Sequence, residues 1–322
     1  MSDLTSYKAH EWLERFYSYL LLYAEEGGGA KDYLLNRGLT EETIEQFGLG
    51  FSPFKSKATI DFLLSKGFNM KQLLEWKVLN RQKNGNVNDL FRGRITFPIR
   101  DFRGRTVAFG GRATSDNARV KYFNSATTEI YSKSDNLFGL DVAKEHIKTA
   151  NYAVLVEGYF DVLMSHQGGL KNTIGALGTV LTVNQALLIK SITDNIVIGF
   201  DGDSAGMENA FRSASILKSV GCNVKIATIP NEADPDDFIR EHGGQTFQRE
   251  VINASQLYED ALFDYEQSKY DLSSLTDRFS FTETVLKELS TDNIQDNEKL
   301  LERLKMTLNI PLEHIERLTR GK

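Results

Sequence analysis

Residues 153–161 read Ala-Val-Leu-Val-Glu-Gly-Tyr-Phe-Asp. The run 153–156 is apolar and rich in β-branched residues, which predicts a short buried strand. Glu157 stands at its end. The same pattern returns downstream, where Ile196-Val-Ile-Gly-Phe200 runs into Asp201-Gly-Asp203-Ser-Ala-Gly206. A third acidic string, Asp234-Pro-Asp236-Asp237, follows an apolar stretch over 223–229. Carboxylates at the ends of parallel strands lie where open α/β sheets place their chemistry. Two of them about 4 Å apart repel by roughly 4 kcal/mol at an effective dielectric of ~20. Such a cluster asks for a cation or for raised pKa values, and hard oxygen ligands suit Mg²⁺ or Mn²⁺.

Outward from this segment the chain alternates. Strands are predicted at 152–156, 172–177, 195–200 and 223–229, and helices at 159–167, 183–191, 205–220 and 235–242. That alternation predicts a parallel sheet with right-handed crossovers. Upstream, amphipathic helices are predicted at 7–26 and 30–37, a third starts at Thr40 with an acidic first turn, and two short ones flank Gly67. Residues 94–109 read as two strands joined by a turn near Asp101–Gly104. Beyond 255 no strand signal appears, and leucine-spaced charged segments such as 297–306 predict helices. The fold class is α/β, with a mixed α/β lobe over 1–150, a parallel-sheet domain over 151–242 and a C-terminal helical bundle over 255–322.

The single cysteine, Cys222, excludes an internal disulfide and a zinc site built on several thiolates. No apolar run approaches the ~20 residues of a membrane helix, and the N-terminus lacks the pattern of a signal peptide. A cytoplasmic location and no membrane partner are the expectation. The five histidines read as surface residues. Net charge is −6, but residues 81–121 hold ten Lys plus Arg against three Asp, whereas 151–322 hold 16 basic and 26 acidic residues. A basic segment beside an acidic one suits an enzyme that handles phosphates; a solvated basic face is the plainer reading.

Taken singly, each acidic string has an ordinary explanation. Glu157 can be a polar strand end, and Asp161 a first-turn charge that favours the helix dipole. Asp201-Gly-Asp203 is no EF-hand, because the twelfth position from Asp201 is Arg212; a capped turn is the alternative to a metal pair. Asp234-Pro-Asp-Asp makes a standard helix start, with Asp at the N-cap and Pro at the first helical position. Three strings after three strands in order are more specific than any one.

Strand-Glu-Gly followed by strand-Asp-x-Asp on a small parallel sheet resembles the TOPRIM domain. Upstream come Arg92-Gly-Arg94-Ile-Thr-Phe-Pro-Ile, Ala108-Phe-Gly-Gly-Arg112, Lys121-Tyr-Phe-Asn-Ser125, Ile130-Tyr-Ser-Lys133 and Leu137-Phe-Gly-Leu140. In this order the chain is similar to the RNA polymerase core of DnaG-type bacterial primases. The resemblance implies DNA-dependent synthesis of short RNA primers for replication. It implies Glu157, Asp201 and Asp203 as catalytic residues, and the same three with Asp234 and Asp236 as ligands of Mg²⁺ or Mn²⁺. Arg94, Arg112, Lys121, Tyr122, Asn124 and Lys133 match the family's groove for nucleotide and template, and 176–179 match a small loop beside the cleft. The implied partners are single-stranded DNA, ribonucleoside triphosphates, the RNA–DNA hybrid product and, in the full-length proteins, a replicative helicase. The family's zinc-binding and helicase-binding domains have no counterpart in this sequence, so a catalytic core without zinc is expected. A TOPRIM nuclease and a non-catalytic DNA-binding module are the competing readings.

Overall fold

The computed structural model describes residues 2–114, 120–178, 180–287 and 294–309. Thr179 of the 176–179 segment and His314 lie outside the described residues. The chain forms two compact units. One runs to Asn223 and resumes over Ala227–Ala254; the other takes Val224–Ile226 and the chain from Ser255 onward.

The first unit begins with α1 (Ser2–Tyr23), α2 (Gly28–Asn36) and α3 (Glu41–Phe47), then β1 (Gly50–Ser52), α4 (Lys57–Ser65) and α5 (Met70–Glu75). A small hairpin of β2 (Leu79–Arg81) and β3 (Val87–Asp89) leads into β4 (Arg94–Arg100), β5 (Thr106–Ala113) and β6 (Tyr122–Asn124). β1, β4, β5 and β6 make one antiparallel sheet in that order. The turn between β4 and β5 is set by Asp101, whose carboxylate accepts from the backbone N–H of Arg103 and Arg105 at 2.9 and 3.0 Å. β5 is buried along its whole length, and α1 covers it with His10 and Tyr17 against Phe109.

The chain then runs through α6 (Leu140–Ala150), β7 (Ala153–Val156), α7 (Tyr159–Gln167), β8 (Thr173–Gly175), α8 (Val183–Lys190), β9 (Asn195–Ile198) and α9 (Ser204–Ser219). β7 is central, with β8 and β9 parallel to it on its two sides. Its four residues are all buried, as expected for a strand covered on both faces. β10 (Asn223–Ile226) straddles the unit boundary. It is followed by α10 (Pro235–His242) and α11 (Gly244–Phe247). One hydrophobic core spans the antiparallel and parallel parts: Phe97 of β4 stacks on Tyr159 at 4.6 Å between centroids and meets Phe160 edge-on. Arg100 at the end of β4 adds polar ties, donating to Asp141 of α6, Glu14 of α1 and the carbonyl of Phe47.

In the second unit, β11 (Gln256–Leu257) pairs antiparallel with β10. This corrects the expectation of no strand beyond 255; two residues are too few for alternation to show in sequence. α12 (Tyr258–Gln267), α13 (Leu275–Lys287) and α14 (Ile294–Leu308) pack around Phe263, Phe281, Leu300 and Leu304. Arg303 donates to Asp260 and Asp264 at 3.0 and 2.6 Å.

Two histidines are also corrected. His10 is buried and its Nδ1 pairs with the Ser6 carbonyl at 2.9 Å. His166 is buried, pairs with the Thr173 carbonyl at 2.8 Å, and is pushed down to about 4 chiefly by burial. Both sit on inner helix faces against aromatic rings. Among the described residues no helix is long and apolar enough to cross a membrane.

One buried carboxylate holds the first lobe together. Asp89 accepts from the Tyr17 hydroxyl and the Ser52 hydroxyl, each at 2.7 Å, and from the Phe91 N–H at 2.8 Å. Burial raises its pKa. Asp89→Ala leaves three donors unpaired in the core and is expected to lower stability by about 3 kcal/mol. Urea unfolding measures this; a loss under about 1 kcal/mol would show the donors finding other partners.

Candidate active site

The parallel strands bring the acidic strings together. Glu157 follows the last residue of β7, and Asp201 lies just beyond β9. Asp203 is the N-cap of α9, accepting from the Gly206 N–H at 2.7 Å, and Asp234 is the N-cap of α10, accepting from the Asp237 N–H at 2.6 Å. Each cap uses one carboxylate oxygen and leaves the other available, so capping and ligation are compatible roles. The Asp201 and Asp234 loops are joined directly, the Gly202 N–H donating to the Ala233 carbonyl at 2.9 Å. Gly202 is required here. A Cβ at this position would lie 2.6 Å from the Ile229 carbonyl oxygen and 3.1 Å from Glu232 Cα.

Glu157, Asp201, Asp234 and Asp236 line a cleft of about 600 Å³. Its other wall carries Tyr122, Asn124 and Lys133 from the basic lobe. Oxygens of Asp234, Asp236 and Asp237 lie within 4.8 Å of one another. Asp203 is exposed and outside the lining, but its charge acts on both Glu157 and Asp201. Arg94, Arg112 and Lys121 are not in the cleft wall. Arg94 donates to the carbonyls of Val120 and Lys121 at 2.9 and 3.2 Å and lies over the Phe123 ring. Arg112 is buried, donates to the Tyr122 hydroxyl at 3.1 Å and lies over the Tyr33 ring. Both guanidiniums thus brace the start of β6. Lys121 is exposed.

Two groups escaped the sequence reading. Arg37, just past α2, pairs with buried Asp236, lies over the Phe160 ring at 4.7 Å and lines the cleft. No motif marks it. Asp161, read as a helix-dipole charge, is buried, accepts from the Gly158 N–H at 2.8 Å and from the Asp236 N–H at 3.3 Å, and ties α7 to α10.

The electrostatics are those of an under-compensated carboxylate cluster. Burial, then the charges of Asp201 and Asp203, push Glu157 up to about 7. Burial, then Asp234, Asp203 and Asp237, push Asp201 up to about 6. Asp236 is raised by burial against the opposing pull of Arg37. Glu157 Oε1 and Asp236 Oδ1 are buried without a hydrogen-bond partner. Buried anionic oxygens with no donor are what a hard divalent cation would satisfy, so these residues fit Mg²⁺ or Mn²⁺.

Comparison with known proteins agrees with this geometry. Residues 16–144 match the family described as DNA primase catalytic core, N-terminal domain, and residues 154–239 match the Toprim-like family. A solved structure of the Aquifex aeolicus primase, zinc-binding and RNA polymerase domains, superposes with a TM-score of 0.82 at 32% identity, covering 98% of this chain and 75% of that one. The chain belongs to the DnaG-type primase family. A solved DnaG primase catalytic domain bound to single-stranded DNA also matches, at TM-score 0.81 and 28% identity, over 96% of this chain and 97% of that one. A curated DNA primase of Halalkalibacterium halodurans is 37% identical over 281 residues, covering 87% of this chain and 47% of the relative. The chain spans about half or less of the length of the curated primases it matches.

The raised carboxylates make stability depend on pH. Glu157 binds its proton more tightly folded than unfolded, so its contribution is present below about pH 4.5 and is lost as pH rises towards 7. Glu157→Gln mimics the protonated form. In EDTA, the variant is expected to match the wild type near pH 5 and to exceed its melting temperature near pH 8, and Mg²⁺ or Mn²⁺ should raise the wild type more than the variant. Thermal unfolding checks this; a difference that does not change with pH would contradict the assignment.

Proposed function

We propose that this chain synthesises short RNA primers on single-stranded DNA by metal-assisted nucleotidyl transfer. The observation that carries the reading is the two-sided cleft, with carboxylates from the ends of β7 and β9 and from the start of α10 facing Tyr122 and Lys133 of the basic lobe. Within this reading residues 1–150 form the nucleotide and template lobe, 151–242 the TOPRIM domain and 255–322 a helical subdomain.

A 3′-hydroxyl oxygen bonds to the α-phosphorus of a ribonucleoside triphosphate, the bond to the bridging oxygen of the β-phosphate breaks, pyrophosphate leaves with that electron pair, and the hydroxyl proton passes to water. Glu157, Asp201 and Asp203 would hold a central Mg²⁺ or Mn²⁺, and Asp234 and Asp236 would extend the site. When bound, the cation stabilises developing charge and lowers the pKa of the attacking hydroxyl. Arg37 keeps Asp236 aligned and lowers the repulsion within the cluster. Lys133, whose ammonium has no acceptor among the described residues, meets triphosphate oxygens at the cleft wall. Lys121, exposed and likewise without an acceptor among them, meets the template backbone, and Tyr122 offers its ring to a base. Arg94 and Arg112 add charge to the groove and hold the strand ends that present these groups.

Two measurements test the reading. With single-stranded DNA, labelled ribonucleotides and Mg²⁺ or Mn²⁺, the wild type makes short RNA. Asp201→Asn and Asp203→Asn each lose several kcal/mol of transition-state stabilisation, so their rates fall at least ~100-fold. Near-wild-type synthesis by either variant sinks its assignment, and shortened DNA in place of RNA would mean a nuclease. Template affinity is expected to fall steeply between 50 and 200 mM salt, and Lys121→Ala should reduce the log–log slope by about 0.7. A slope unchanged by the substitution removes Lys121 from the template path.

A further inference from the structure

Leu177 has a left-handed backbone, with φ at 59°. A γ-branched residue rarely adopts this conformation, so something nearby must hold it. Leu177 and Gly178 line the cleft. The Leu177 carbonyl accepts from the Asn124 side-chain amide at 3.2 Å, and the other end of that amide, Oδ1, accepts from the Tyr159 hydroxyl at 2.6 Å. The orientation of the amide follows from chemistry. A carbonyl can only accept, so the NH₂ must face Leu177, and the oxygen is left for the hydroxyl.

Tyr159 is itself fixed. Its ring stacks on Phe97 and meets Phe138 edge-on at 4.7 Å. A Cβ on Gly110 would fall 2.1 Å from its hydroxyl oxygen, so glycine in β5 makes room for it. Asn124 sits opposite that glycine in the β5–β6 ladder. Beyond Leu177, the Lys133 ammonium lies 3.0 Å from where a Cβ on Gly178 would stand, so the placing of Gly178 and of Lys133 is linked.

We infer that Asn124 and Tyr159 are positioning residues, a clamp that holds Leu177 in its left-handed conformation and thereby sets Gly178 and Lys133 at the cleft wall where the triphosphate is received. The inference rests on the nucleotide-handling reading of the cleft. It gives Asn124 a different part from direct nucleotide contact, since both ends of its amide face the protein. Tyr159, which also lines the cleft, acts on Leu177 through Asn124.

The test compares wild type, Asn124→Ala, Tyr159→Phe and the double variant, each checked by circular dichroism to be folded at the assay temperature. Asn124→Ala should raise KM for the incoming ribonucleotide about tenfold with a smaller change in kcat, and Tyr159→Phe about threefold. The double variant should be no worse than Asn124→Ala, because one route is cut twice. A fall in kcat at constant KM, or additive losses, would overturn the clamp. Limited chymotrypsin digestion without nucleotide, read by mass spectrometry, should show faster cleavage after Leu177 in both single variants; unchanged cleavage would also overturn it. Should the wild type make no primers, the reading of the cleft fails while the digestion still decides the clamp. Should Asn124→Ala not fold, Tyr159→Phe, which removes a single hydroxyl, decides it.

Discussion

Like charges gathered at the ends of neighbouring strands repel, and the surroundings of the cleft are organised by that repulsion. Water would screen it, but β7 is buried on both faces and the carboxylates stand where its low-dielectric interior begins. The protein answers with partial compensation. Arg37 takes one oxygen of Asp236, the N-terminal amides of α9 and α10 take one oxygen each from Asp203 and Asp234, and Asp161 binds two backbone N–H groups. Glu157, Asp201 and the fully buried Asp161 carry the clearest shifts, all upward. The charge left over is what would give the cleft, as proposed, its affinity for a divalent cation. Compensation by further arginines would stabilise the free protein and remove that affinity.

The second wall has the opposite problem. In the proposed reaction a triphosphate and a nucleic-acid backbone would bring negative charge towards a negative cluster, so the facing lobe must be basic and must keep some of its cations free of carboxylates. The arginines at 94 and 112 are anchored on carbonyls, Tyr122 and aromatic faces within their own lobe. Lysines 121 and 133 are left unpaired among the described residues. Arg37 is already committed to Asp236, so it is the two lysines that offer charge to a bound anion.

Much of this was legible in sequence. The helix 159–167 has the same bounds in the structure, and so does 235–242, because Asp234 caps and Pro235 starts the second and neighbouring glycines bound the first. The strand ends were legible because a buried parallel strand shows as an apolar run that a carboxylate interrupts. Strand 223–229 stops at Ile226, since its last residues leave the ladder on the way to the Asp234 loop. Arg37 was not legible, because its value comes from a partner in a distant element. The left-handed Leu177 was invisible too, since its conformation comes from Asn124 and Tyr159 and not from its own preference. The burial of His10 and His166 does not show in the sequence, because a helix face becomes buried only when an aromatic partner from elsewhere covers it.

The pair of Arg37 and Asp236 joins residues 199 positions apart. During synthesis from the N-terminus, the basic lobe and most of the parallel sheet leave the ribosome well before Asp236 does. Until then Arg37 lacks its carboxylate partner and Asp161 lacks the backbone N–H of Asp236. Contacts of such long span form late, after loop closure has been met by local structure. The cleft is therefore among the last parts of its unit to take shape. Under the proposed function, a nascent chain would have its lysines before it has the complete carboxylate set, and so would hold a polyanion before it could process one.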